Sequence, residues 1–359
     1  MSIPNLDIEV PQEEQVYYYR LAGQIAYEVH EALKELITPG ARLIEICDRA
    51  HALILEKGGQ PGYPTQLNIN NIATHYAPPN EDETVIPEGS VVKLDLGVHV
   101  NGFIASKAET YCFNDEYKPL VEASQQAWRN AMELVRVGTE TAMIGVAVED
   151  TVREFNYLPI RELTGHLLDR YQLHGNKVLP NVRLPFSKAD SVLEANEVYA
   201  FETFASTGSG SVHEDHSKTY IYMMRPQRIP LRSKESRKIR NYIFKEYFTL
   251  PFASRWVEAH PDFHPARARL TIRELRKANG LIEFPVLADI KEAYVSQYQN
   301  TFMLSEEQGY IVTTLPPFDF EKPESIKQRE EELEKALKEM QEESEQKTED
   351  EKEEAEQEE

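Results

Sequence analysis

A chain of 359 residues, 41% of them hydrophobic and 28% charged, can bury a large core as one big domain or two smaller ones. Its two cysteines, Cys47 and Cys112, give no disulfide framework, which fits a reducing compartment. The start MSIPNLDIEVPQEE is acidic and lacks the apolar stretch of a secretory signal, and no run approaches the roughly 20 apolar residues of a membrane span. The expectation is a cytoplasmic protein with no membrane partner.

In chain order, residues 1–12 read as a short leader. Residues 13–37 carry Tyr17, Leu21, Ile25, Val29 and Leu33 at the spacing of one helix face, and Thr38-Pro39-Gly40 stops that helix. A second helix is expected over Leu43–Glu56, ended by Gly58-Gly59. SVVKLDLGVHV (90–100) alternates and is rich in β-branched residues, and GFIAS returns after it as the second strand of a hairpin. Helices over Leu120–Arg136 and Ala142–Phe155 follow, so helices packed on an antiparallel curved sheet give an α+β core.

From Leu231 to Glu292 apolar residues recur at helical spacing, broken at Pro251 and Gly280, and the stretch reads as a helical subdomain. It opens with LRSKESRKIRNYIFK (231–245), a basic patch of the kind that meets RNA in a ribosomal partner, whose simplest reading is a charged helix face. The segment from Glu321 to Glu359 holds 18 acids and 7 bases, half of the chain's net charge of −22. Such a tail is too polar to bury anything and reads as disordered or partly helical. Ile326, Leu333, Leu337 and Met340 fall on one stripe of it, available to a protein partner. Its charge repels phosphates and argues against direct nonspecific or sequence-specific nucleic-acid binding, while leaving a ribosomal partner open.

Chemistry-bearing residues sit in four segments: LDLGVHVNGFIAS (94–106), ELTGHLLDRYQLHGN (162–176), YAFETFASTGSG (199–210) and SQYQNTFML (296–304). Asp95 on an alternating strand is costly facing inward unless paired. Ser106 reads as its cross-strand neighbour, with Lys107 on the opposite face. VHEDHSK (212–218) has closely spaced histidines but no helix context for a zinc site, and reads as a solvated loop.

Together these segments resemble type 2 methionine aminopeptidases, over roughly residues 15–314. The resemblance implies the pita-bread fold, with residues 13–230 and 293–316 as its core, 231–292 as the type 2 helical insertion and 317–359 as an acidic tail. It makes Asp95, Ser106, His166, Glu202 and Gln299 the five metal positions, where the family has Asp, Asp, His, Glu and Glu. The two positions that depart, Ser106 and Gln299, are those of the bridging carboxylates. His75, in NINNIATHYAPP, matches the histidine lining the substrate pocket, and His174 the one beside the substrate carbonyl. The short leader looks closer to archaeal members.

Two divalent ions about 4 Å apart need anionic ligands between them. The family set carries four carboxylates; Asp95 and Glu202 supply −2, and a Ser hydroxyl and a Gln carbonyl add none. The expectation is no dinuclear site, and either no cofactor or one weakly held Mn, Co or Fe ion on Asp95, His166 and Glu202. Two functions compete. One is a noncatalytic binding protein at ribosomes or nascent polypeptide N-termini, similar in kind to the proliferation-associated homologues and a large-subunit export factor. The other is a methionyl aminopeptidase with a mononuclear site. Cleavage of X-Pro or creatine-like substrates is disfavoured by the helical insertion.

Overall fold

Two sheets face each other in the computed structural model, which describes residues 9–184 and 191–339. The helices begin with α1 (Gln12–Leu33), followed by the 3-10 turn Lys34–Leu36, then α2 (Leu43–Glu56), α3 (Lys118–Met132) and α4 (Thr141–Glu154). The larger sheet runs β1 (Gln60–Ile69), β3 (Val91–Val100), β4 (Phe103–Cys112), β11 (Val295–Ser305), β7 (Val198–Ser206), β5 (Thr164–Leu168) and β6 (Val178–Pro180), with β12 (Gly309–Val312) on β11. The smaller sheet runs β2 (Ile72–Thr74), β10 (Leu281–Ala288), β8 (His213–Met224) and β9 (Phe252–Ala253). All paired strands in both are antiparallel.

Alternation along the strands sorts side chains to two faces. The outer face of the large sheet takes α1 from Ala22 onward and α2, which bury Val29, Leu33, Ile46 and Leu53 against Leu94, Leu96 and Val98. Farther along the same sheet, α3 and α4 pack Ala127, Trp128, Ile144 and Val148 against Tyr199, Phe201 and Phe302. Buried apolar side chains stabilise by about 2 kcal/mol each, so this layer holds the inner face rigid and leaves it for polar residues.

The seam between β4 and β11 has one ladder pair, Gln299 with Ala108. Two threonine hydroxyls complete it. Thr110 Oγ1 donates to Gln297 O at 2.7 Å and accepts from Gln297 N at 2.8 Å, while Thr301 Oγ1 accepts from Ser106 N at 2.7 Å and donates to Ser106 O at 3.0 Å.

Several expectations are corrected. The region 231–292 is helical only in α5 (Lys234–Tyr247), α6 (Ser254–Glu258) and α7 (Pro265–Lys277); residues 281–288 are β10, paired with β8 and β2. Of the described residues, 18–184 and 191–318 form one unit, and 9–17 with 319–339 form the other. VHEDHSK is no loop, since β8 begins at His213, with its first residues on the exposed end of the strand. In the second unit, residues 324–339 are helical. Glu14 accepts there from Arg329 and Ser325, Ile326 is buried, and Leu333 and Leu337 are exposed. Met340 and the chain beyond it, expected to be disordered or partly helical, lie outside the described residues, as does most of the leader.

Candidate active site

Six of the seven residues singled out in the sequence line one cavity of about 320 Å³: His75, Asp95, His166, His174, Glu202 and Gln299. Register explains the convergence. Glu202 lies directly opposite Gln299 across β7 and β11, and His166 lies opposite Ala200 on β5 and β7, so the three side chains share the inner face. The smaller sheet supplies the facing wall through Thr74, Ile221, Phe284 and Leu287.

Ser106 is the exception. It is buried, lies opposite Gly97 rather than Asp95, and does not line the cavity; Asp95 faces Ala108. The expected direct pairing of Asp95 with Ser106 is corrected to a diagonal one, two residues off. Lys107 does point the other way, and its ammonium donates to Glu109 and Asn300.

Two residues that sequence reasoning passed over organise the site. Tyr63, on β1, donates its phenol to Asp95 Oδ1 at 2.7 Å. Gln297 sits two residues before Gln299 and so on the same face. Its amide nitrogen reaches Asp95 Oδ2 at 3.2 Å, Glu202 Oε2 at 3.2 Å and Gln299 Oε1 at 3.3 Å. One amide donor group thus stands among the three oxygens that face the centre of the site.

The electrostatics follow from burial. Asp95 is pushed up to about 6 by desolvation, against the pull of its hydrogen bonds from Tyr63 and Gln297. Desolvation, with the Asp95 charge nearby, holds Glu202 well above the usual carboxylate range. Burial holds His166 well below its ordinary value and lowers His75 to about 4 and His174 less far. The imidazoles are therefore neutral, with the His166 and His174 rings 4.4 Å apart and His75 Nδ1 3.0 Å from Pro285 O.

A metal pair needs oxygens turned to a shared centre and enough negative charge to balance it. Here the donors are two carboxyls with raised pKa, one amide oxygen and a neutral imidazole, and an N–H donor group lies between them. Among the described residues no three His, Cys, Asp or Glu side chains are grouped so as to hold a metal ion.

Fold and sequence agree on the class. Residues 18–225 match the profile of metallopeptidase family M24, and the chain belongs to that family. Its relatives include the methionine aminopeptidase of Thermococcus kodakarensis, 38% identical over 294 residues that cover 81% of this chain and 97% of that one. The methionine aminopeptidase of Saccharolobus solfataricus is 34% identical over 302 residues, covering 84% and 98%. Among solved structures, a thermophilic Arx1 superposes with a TM-score of 0.74 at 21% identity, covering 88% of this chain and 95% of that one. The Thermotoga maritima methionine aminopeptidase gives 0.61 at 16%, covering 86% and 99%. These likenesses establish the pita-bread architecture expected from the sequence. Among the described residues no helix is long and apolar enough to cross a membrane.

Proposed function

We propose that this protein is a noncatalytic member of family M24 that binds polypeptide N-termini without cleaving them, in the cytoplasm and at the ribosome. The observation that carries the reading is Gln297, whose amide donates to both Asp95 and Glu202. Those contacts occupy carboxylate oxygens that a metal pair would need, and the positions of the two bridging acids hold Ser106 and Gln299. In place of metal, an α-ammonium group satisfies the two buried carboxyls, since an opposite charge favours their ionised form. Leu163, Leu173, Ile221, Phe284 and Leu287 then offer an apolar wall to the first side chain.

The competing reading, a methionyl aminopeptidase with one metal on Asp95, His166 and Glu202, is favoured by the names of the archaeal relatives. The two separate cleanly. Protein incubated with Mn²⁺, Co²⁺ or Fe²⁺ is assayed for bound metal and for Met-peptide hydrolysis, with Asp95→Asn as control. The proposal expects less than one ion per chain, no turnover, and binding of a Met-initiated peptide that is lost when its amine is acetylated. Metal-dependent turnover that vanishes in Asp95→Asn overturns it. Hydrolysis gained by Ser106→Asp/Gln299→Glu would mark the scaffold as intact and the two neutral residues as the reason for its silence.

A further inference from the structure

Residues 225–277 hold 14 basic side chains against five acids, a net +9 in a chain whose total is −22. The remainder therefore carries −31, and the segment is a local reversal of sign. At physiological salt, charges more than about 8 Å apart are screened, so the patch presents its own field to whatever touches it. Five of its bases are engaged with acids: Arg267 with Glu235, Arg269 with Glu258, Arg276 with Glu283, Arg255 with Asp48 and, more loosely, Lys238 with Asp262. Arg228, Arg232, Lys234, Lys245, Arg273 and Lys277 are exposed and form no ion pair with an acid among the described residues.

The surface is held in place. Thr271 donates to Ser236, tying α7 to the first turn of α5. The linker after β8 is clamped to the end of α7, through Arg225 N to Gly280 O at 3.0 Å and Gln227 Nε2 to Asn279 O. Arg228 is thereby carried by the same clamped turn that meets the end of α7, where Arg273 and Lys277 lie.

We infer that this face binds the phosphate backbone of folded RNA. A polyanion is required by the charge, and ten of the 14 bases are arginine, whose planar fork suits phosphate oxygens bidentately. A lipid surface fits less well. Binding there needs an apolar helix face, and those of α5 and α7 are already used: Ile239, Ile243, Ala268, Ile272 and Leu275 are buried together in one cluster. RNA in preference to DNA rests on the ribosomal part of the proposed function; the polyanion-binding surface itself does not.

The test uses the full chain and a labelled RNA hairpin at 50 and 200 mM KCl. Binding is expected to weaken steeply with salt, since each neutralised phosphate releases counterions. Arg228→Gln/Arg232→Gln/Arg273→Gln should lose about tenfold or more at the lower salt and show a shallower salt dependence. Arg49→Gln/Lys57→Gln/Lys118→Gln, which removes the same charge elsewhere, should stay within about twofold. Equal losses in both variants, or no binding at 50 mM, overturn the inference. A DNA duplex bound as tightly as the hairpin, or phosphatidylserine vesicles bound in preference to it, also overturns it. Met-peptide binding is measured on the same variants; its failure in every protein, with hairpin binding intact, strikes the cavity reading alone.

Discussion

Tyr63 occupies the space above Gly97 in which a side chain would otherwise stand: a Cβ added there would lie 2.2 Å from Tyr63 Cε1. Gly97 is thus what lets the ring reach over β3 and set its phenol 2.7 Å from Asp95. Gly97→Ala should displace the ring and cost about 1–3 kcal/mol, the range for overpacking. Thermal unfolding of a double-mutant cycle checks it. In a Tyr63→Ala background the cost of Gly97→Ala should shrink, because the clash has lost its partner.

Gln297→Glu places a third carboxyl where an amide now donates to two others. Without a cation, like charges in a buried site repel, and the variant should unfold several degrees lower, a loss of about 2 kcal/mol or more. Millimolar Mn²⁺ should restore part of that loss, because a ligand that binds only the folded state stabilises it by mass action. The wild type should show a smaller Mn²⁺ shift than the variant in the same calorimetric scan.

His30 is fully buried with neither ring nitrogen hydrogen-bonded among the described residues, and burial lowers its pKa to about 3; Glu109 pulls it up and Lys107 and Lys34 push it down. The unfolded chain takes up a proton below about 6.5 and the folded chain does not. Stability is therefore undiminished by His30 above that value. It falls as pH drops toward 3, by up to about 1.4 kcal/mol per unit. Urea midpoints at pH 7, 6 and 5 should decline in the wild type more steeply than in His30→Leu.

Asp289 gathers five donors: Ser206 Oγ and Ser209 Oγ at 2.6 Å, Ser209 N at 3.0 Å, Gly210 N at 3.2 Å and Ile290 N at 2.6 Å. Burial alone would raise its pKa, yet the bonds from Ser206 and Ser209 hold it below the usual carboxylate range. The stability it contributes is complete above about pH 4 and is lost as pH falls through its lowered folded value. Asp289→Asn should cost about 2–4 kcal/mol at neutral pH, because an amide cannot accept on both sides. Denaturant unfolding of the variant measures that cost.

Much of this arrangement was readable in the chain. Helix α2 spans the residues that its spacing and Gly58-Gly59 predict, and the β3–β4 hairpin turns where expected. The α-helix α1 stops at Leu33 and tightens into a 3-10 turn before Thr38. Residues 281–288 misled because LIEFPVL is apolar apart from Glu283, so its spacing fits a helix or a doubly covered strand equally. The polar start of β8 misled in the opposite way, as an exposed strand end that carries no alternation of its own. Within the site, Gln297 could have been found by applying alternation to Gln299. Tyr63 could not, because its contact with Asp95 depends on a bulged register between β1 and β3 that no local pattern encodes.

The roof that Tyr63 makes limits which side chains the site can take up singly. Ser106 lies beside that phenol and outside the cavity, so a new acid at 106 meets an occupied space and a second buried anion at Asp95 before any ion rewards it. Gln299→Glu alone meets the Glu202 charge across the strand. Under the proposed function, each single step toward a further acid is thus uphill until Tyr63 gives way, and the fold keeps its pocket without one.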